Sequence, residues 1–472
     1  MKINCESTRE ILIPKDLFER IIGQDEAVEI AKMIPFQRRH LLLVGPPGTG
    51  KSMIAQAIAS VLPRPRYEIS VIDNPQNSER PIIEIRDEKQ IKSDMNKKKT
   101  LGKIVTPYEI PSFVAERFGF RCRRCGGFSS HTEFICPHCG AEKIRSGNIF
   151  EKYSQFPQIN ESGKMRVATT RRIADGKEEL LIYERTNEGV VTLFTADELK
   201  EIETQKKRNV IVPLNRSTFV QASGNTETEL LGDIRHDPYG GHPHLGTPTY
   251  MRVVPGAVHE AHEGVLFIDE LSTLKETQRF LLTAMQEKTF PIVGHNPMSS
   301  GAAVRVDNVP CDFIFVGATN INDLKYVIPP LRSRIRGDGY EILINVYMPE
   351  NQENTNKMLQ FIAQEIEKDG RIPHAAKGAI EEFLKESKRI AKSIDGVSGY
   401  TLRLRNLSGL IKMSGDIAKM EKSELIERRH VIKAIQSAKP IEDQLRDKYG
   451  NWWKTETADY GITKPKVGPE TA

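Results

Sequence analysis

His40-LLLV-Gly45-PPGTG-Lys51-Ser52-MIAQAIASV-Leu62 reads as an apolar strand, a glycine-rich loop and an alanine-rich amphipathic helix. Its centre matches G-x-x-x-x-G-K-[ST] at every fixed position. Glycines let the backbone N–H groups curl round phosphate oxygens, and the helix that follows offers its positive end to the same anion. Gly45, Pro46, Pro47, Gly48, Thr49, Gly50, Lys51, Ser52 and Met53 are therefore the expected nucleotide cradle. Lys51 would reach the β- and γ-phosphates of ATP, and the Ser52 hydroxyl would hold Mg²⁺.

A phosphate loop alone does not choose among nucleotide hydrolases, so the later strands matter. Gly264-VLFI-Asp269-Glu270 is an apolar strand ending in two carboxylates. Asp269 suits contact with the magnesium ion, and Glu270 suits polarising the attacking water. Phe313-IFVGAT-Asn320 is a further strand, and it ends in an amide able to orient that water. A simple turn residue is the alternative reading of Asn320.

These motifs, with Ile21-IGQD before them and Leu331-RSRIR after, occur in the order found in AAA+ ATPases. Three longer runs, LLGDIRHDP from Leu230, LGTPTYMRVVPGAVHEAHEGVLFIDE from Leu245 and SSGAAVRVDNVPCDFIFVGATN from Ser299, resemble the ATPase module of archaeal Lon (LonB) proteases. The resemblance covers roughly residues 10–90 and 210–450. It implies an α/β fold, a doubly wound parallel sheet with the nucleotide at its C-terminal edge, followed by a helical lid. The residues support a lid independently. After Pro349 helical patterns alternate with breaks at Asp369-Gly370, Asp395-Gly396 and Gly399, and strand-like runs cease.

The same resemblance places Ile22 and Gly23 beside the adenine. It makes Arg334, with Arg332 as the close alternative, an arginine finger reaching the γ-phosphate held by a neighbouring copy. It also makes Arg405 a lid arginine facing ATP in its own chain. Arg403 lies two residues away, so only one of that pair can face the nucleotide. Tyr250-Met251, just before Pro255-Gly256, occupies the place of the pair that lines the pore and grips polypeptide. Packing of Tyr250 in the core is the alternative. Glu287-KTF is a candidate second pore hairpin, with an ordinary surface turn as an equal alternative. The implied assembly is a homo-oligomeric ring, a hexamer by analogy, acting on a protein substrate or partner complex.

The interval between Lys51 and Asp269 is far longer than such a fold needs, and the excess falls at about 91–209. It contains Cys122-RR-Cys125-Gly126 and Cys136-PH-Cys139-Gly140. Two C-x-x-C-G knuckles suit a tetrahedral Zn²⁺ ion, with an iron–sulfur centre or a redox dithiol as alternatives. The ribbon would span about 120–142. Arg117, Arg121, Arg123 and Arg124 interleaved with Phe118, Phe120 and Phe128 permit nucleic-acid contact. The rest of the insertion alternates like a β module.

The expected organisation is thus an ATPase domain at 1–90 and 210–348, the insertion at 91–209, a lid at 349–450 and a tail at 451–472 in which Trp452-Trp453 could dock a partner. No serine follows Ser437, so a Lon-type serine nucleophile is not expected in that tail. Three readings compete: a protein-remodelling ATPase, a nucleic-acid motor using the ribbon, and the ATPase subunit of a metal-chelatase-like complex.

Bulk composition sets wide bounds. The chain has 472 residues, 38% hydrophobic and 28% charged, with a net charge of +5, which by itself argues for neither nucleic acid nor membrane. There is no apolar run of membrane-spanning length and no signal core in MKINCESTRE, so a cytoplasmic location without a membrane partner is expected.

Overall fold

The computed structural model describes residues 5–100, 102–143, 158–159, 165–172, 178–186, 188–198, 208–223, 226–237, 246–294 and 304–437. They divide into two compact units, one of residues up to Pro65 with Asn215–Arg235 and Val254 onward, the other of Arg66–Leu214 with His236–Val253.

The first unit is built on five parallel strands: β1 (His40–Val44), β2 (Phe219–Ser223), β3 (Val265–Asp269), β4 (Ile314–Thr319) and β5 (Gly339–Leu343). Their order across the sheet is β2-β3-β4-β1-β5. The runs HLLLV and IFVGAT are apolar at nearly every position because helices cover both faces. Leu41, Leu43, Phe267 and Val316 pack on one side with α1 (Asp25–Gln37) and α2 (Lys51–Ser60). Leu42, Leu266 and Phe315 pack on the other with α3 (Gln278–Glu287) and α4 (Pro329–Asp338). The order reverses between β4 and β1, and the loop after β1 opens at that switch point, where ligands of open α/β sheets bind.

Four more helices form the lid: α5 (Gln352–Asp369), α6 (Lys377–Ile390), α7 (Leu404–Met420) and α8 (Arg428–Ser437). The breaks read from the sequence are their stops. Gly370 ends α5 at φ 66°, and Gly396 follows the turn after α6 at φ 68°. Ile362, Phe383, Leu407, Ile411 and Val431 make the lid core, and Ile22 belongs to the same cluster.

The second unit corrects the expected seam. Residues Tyr67–Ile72 do not join the parallel sheet. They pair antiparallel with Ile82–Asp87 and Arg208–Val212, so the unit begins at Arg66 rather than near 91. Ion pairs tie that small sheet to the helix at Glu88–Thr100: Asp94 binds Arg86 at 3.1 Å and Arg208 at 3.0 Å, and Arg86 also holds Glu68. A second antiparallel sheet runs through Lys103–Val105, Val191–Thr195, Glu178–Arg185, Met165–Arg172 and Gln158–Ile159, which is the expected β module. Val114, Phe118, Phe120, Val167, Leu181 and Tyr183 form its core.

Two proposals based on aromatic residues change here. Phe118 and Phe120 are buried in that core, so much of the aromatic character read as a nucleic-acid surface serves packing instead. Tyr250 is only 5% exposed, and its carbonyl accepts from the Asn209 side chain, whereas Met251 is 50% exposed. The two do not form an exposed pair, because the short 3₁₀ turn Thr249–Arg252 points them differently. Ile292–Val293 and Arg305–Val306 pair as a hairpin base after Glu287-KTF. Trp452-Trp453 and the 451–472 tail lie outside the described residues. Among the described residues no helix is long and apolar enough to cross a membrane.

Candidate active site

The loop after β1 turns back at Gly48 (φ 78°) and Gly50 (φ 89°), both in the left-handed region that glycine adopts without strain. Gly50 caps α2, which puts Lys51 and Ser52 in its first turn. The Lys51 side chain folds under the loop and donates to the carbonyls of Gly45 and Pro46, each at 2.8 Å. Thr49 donates to Pro46 O at 2.9 Å, stiffening the same turn. Burial pulls the Lys51 ammonium below its ordinary range, while the nearby Asp269 carboxylate pulls it back up. Lys51 also lies within the field of Arg405 and Glu270, so residues far apart in sequence meet at one place.

Asp269 ends β3, and its Oδ1 accepts from Glu270 N at 3.1 Å. Glu270 follows in a left-handed conformation (φ 53°) and is exposed. A non-glycine residue held there stores strain, which concentrates at functional sites. Glu270 and Asn320 line one cavity of about 720 Å³ together with Lys275, Asp323 and Tyr326. Asn320 Nδ2 donates to Asp323 Oδ2 at 3.2 Å, which fixes the amide against that wall.

The lid contributes Arg405. A Cβ added to Gly48 would lie 2.7 Å from Arg405 Cβ, so the first turn of α7 rests on the phosphate loop. Arg403 points elsewhere and is held by Asp395 at 2.7 Å. That pairing leaves Arg405 as the arginine beside the loop. The sequence carried no sign of it, because Asp395 belongs to a different turn.

Arg332 and Arg334 also separate. Arg332 makes two bonds to the Glu341 carboxylate, at 2.7 and 3.1 Å. Arg334 has only Asp338 at 3.5 Å, one turn along its own helix, and its Nε finds no hydrogen-bond partner among the described residues.

At the other end of the cleft, Ile21 and Ile22 line a cavity of about 270 Å³ that also meets Thr49, Gly50, Met53 and Leu404. Gly23 (φ 70°) packs so tightly that a Cβ would come within 2.5 Å of Leu402. Gln24 fastens this segment by exchanging two bonds with the Asn345 backbone, at 2.8 and 2.9 Å. Those partners lie on distant stretches of chain, and no spacing rule could have paired them.

With this geometry in place, known proteins give it a family. A Lon protease homologue of Methanothermobacter thermautotrophicus is 50% identical over 465 residues, covering 96% of this chain and 92% of that one. The chain belongs to the Lon-homologue family of AAA+ ATPases. A second Lon homologue, from Thermoplasma volcanium, is 49% identical over 94% of this chain and 91% of its own length. The archaeal Lon protease of Thermococcus kodakarensis is 38% identical over 99% of this chain, which spans 65% of that protein. Residues 17–90 match the model of the magnesium chelatase subunit ChlI, and residues 247–323 that of the Sigma-54 interaction domain. This Lon homologue is therefore an ATP-binding, ATP-hydrolysing protein.

The second unit carries a separate candidate centre. The Sγ atoms of Cys122, Cys125, Cys136 and Cys139 all lie within 4.8 Å of one another, with Cys122–Cys139 at 3.7 Å and Cys125–Cys136 at 3.6 Å. A tetrahedron with zinc–sulfur bonds of about 2.3 Å has edges of about 3.8 Å, so the four thiols fit that ion. Each knuckle closes on itself: Gly126 N donates to Cys122 O and Gly140 N to Cys136 O, both at 2.9 Å. Gly126 (φ 74°) and Gly140 (φ 67°) take the left-handed turn the sequence led us to expect. Lys143, only 2% exposed, holds the ribbon by donating to Gly119 O, Ser129 Oγ and Ser130 O at 2.6–2.9 Å. Nothing in its sequence context distinguished it from a surface lysine.

Proposed function

We propose that this Lon homologue hydrolyses ATP between adjacent copies of itself in a ring and uses the cycle to remodel or unfold polypeptide. The observation that carries the reading is the difference between two arginines on α4. Arg332 is committed to Glu341 within its own chain, while Arg334 keeps a guanidinium with one weak local partner. A cation in that condition is free to answer charge arriving from another subunit, and a transition-state phosphoryl group is such a charge.

In this reading the loop Gly45–Ser52 binds the phosphates, and Lys51 leaves its two carbonyl acceptors for phosphate oxygens. Ser52 and Asp269 supply hard oxygen donors of the kind Mg²⁺ takes; the ion would neutralise charge on the phosphates. Glu270 accepts the proton of the attacking water, and Asn320 orients that water from the same cavity. Arg405 reports the nucleotide to the lid through its seat on Gly48. The four cysteines hold structural zinc.

For the client, Met251 is the exposed member of the proposed pore pair, and a flexible thioether grips varied chains well. The nucleic-acid reading is weaker, since Phe118 and Phe120 are committed to a core. ATP turnover with unfolded protein, with single-stranded DNA and with neither tests the choice. Stimulation by unfolded protein supports the proposal, and stimulation by DNA alone reverses it.

A further inference from the structure

We infer that Asp338, the last residue of α4, is the positioning residue of Arg334: its carboxylate aims the Arg334 guanidinium at the neighbouring copy and is itself fixed by Arg39 at the head of β1. The inference rests on the reading that Arg334 serves ATP held by a second copy.

Arg332, Arg334 and Arg336 leave α4 at two-residue intervals. Helical spacing puts the first and last on one side and Arg334 on the other. Glu341 takes the outer two, binding Arg332 twice and Arg336 at 3.5 Å. Arg334 has Asp338 instead, one turn further along its own helix. A pair of this kind is weak when both side chains must be ordered to make it.

Asp338 does not depend on Arg334 for its order. Its Oδ1 accepts from Arg39 Nη1, and Oδ2 is the oxygen that faces Arg334 at 3.5 Å. The adjoining backbone is pinned as well. Gly339 pairs with His40 where β5 joins β1, and a Cβ at Gly339 would overlap the His40 carbonyl. Asp338 therefore sits where the end of α4 is pressed against the start of β1, with a short side chain and one oxygen already committed. What it offers Arg334 is a negative charge at a fixed place.

Arg334 and Asp338 both line an open trough of about 580 Å³, with Leu282 and Gln286 of α3 in its wall. A guanidinium carries five N–H donors, so one contact with Asp338 leaves the others for an incoming anion. β1 is buried along its whole length, is hydrogen-bonded on both edges and carries the Gly45–Ser52 loop at its far end. The anchor of Arg334 and the phosphate loop of the same chain are thus the two ends of one rigid strand.

The test uses the full chain with Asp338→Asn, which keeps the shape and removes the charge, Asp338→Glu, which keeps the charge, and Arg39→Gln, which releases the carboxylate from β1. Asp338→Asn should turn ATP over about ten- to a hundredfold more slowly, the cost of misplacing a reacting group by about 1 Å. Its affinity for ATP and its unfolding temperature should stay near native. Asp338→Glu should recover most of the turnover, and Arg39→Gln should share the defect in milder form. Mixing Asp338→Asn with Glu270→Gln should restore turnover. Mixing it with Arg334→Ala should give no more than the average of the two, because those defects lie on the same side of each interface. Native turnover in Asp338→Asn overturns the inference, as does a slow variant that Glu270→Gln fails to rescue or whose unfolding temperature falls with its activity. Should the asparagine variant misfold, Arg39→Gln carries the same test, and native turnover there overturns the inference equally. Mixing Arg334→Ala with Glu270→Gln is the control. Failure of that pair refutes the reading of Arg334 itself, whereas its success beside native turnover in Asp338→Asn refutes the inference alone.

Discussion

Gly48 on the phosphate loop and Arg405 at the start of α7 are in contact: a methyl group at Gly48 would sit 2.7 Å from Arg405 Cβ. The lid is therefore seated on the loop proposed to hold the phosphates, and Gly48 is needed both for its φ of 78° and for its lack of a side chain. Gly48→Ala should weaken ATP binding by about tenfold or more while leaving the fold intact, since the strain of order 1–3 kcal/mol is local. Titration with a fluorescent ATP analogue checks this. Native affinity in the alanine variant would mean that the loop and lid move apart freely.

Glu270→Gln should bind ATP but turn it over about 10²–10⁴-fold more slowly, the usual contribution of a positioned base. Arg334→Ala should be similarly slow. Mixing the two inactive variants should restore activity, because some interfaces then combine an intact Glu270 with an intact Arg334. Arg332→Ala removes a doubly bonded partner of Glu341, and its defect should appear as lower stability without rescue. Turnover of the mixtures distinguishes the two positions.

Metal analysis should find one zinc per chain. Cys125→Ser should release it and lower the unfolding temperature of the second unit, while ATP binding is retained. Binding of two irons, or a disulfide across Cys122 and Cys139 in the metal-free protein as isolated, would contradict the zinc assignment.

His259 is wholly buried between Gly256 N, which donates to its Nδ1, and Phe290 O. Burial lowers its pKa from 6.5 to about 4. The unfolded chain therefore takes up the proton first as the pH falls. The stability tied to neutral His259 is fully present above about pH 6.5, declines as the pH falls, and is spent near pH 4. Between pH 7 and pH 5 this one residue should cost about 2 kcal/mol, and His40, lowered to about 4 by burial, adds to it in the same direction. Chemical unfolding at the two pH values measures the change. Equal stability at both would show that His259 charges without unfolding.

How much of this was legible in the sequence depended on whether the decisive contact was local. The phosphate loop, the carboxylates ending β3 and the two cysteine knuckles each need only neighbouring residues, and all could be read directly. Arg405 could not be separated from Arg403 by helical spacing, because the Asp395 ion pair made the choice. Arg334 and Arg332 were likewise separated by Glu341, a residue on the following strand. Tyr67–Ile72 reads as well for a parallel core strand as for an antiparallel one, which moved the seam between the units. Tyr250 was offered to a pore on the resemblance alone, and a matching place in a family says nothing about burial in this 3₁₀ turn.

The most direct test of the account measures ATP turnover per chain across a dilution series while sedimentation follows the assembly state. If chemistry is completed by an arginine from a second copy, activity per chain should fall with dilution in step with dissociation and be nearly absent in the monomer. A strictly monomeric sample that hydrolyses ATP at the undiluted rate would contradict the role given to Arg334 and, with it, the ring.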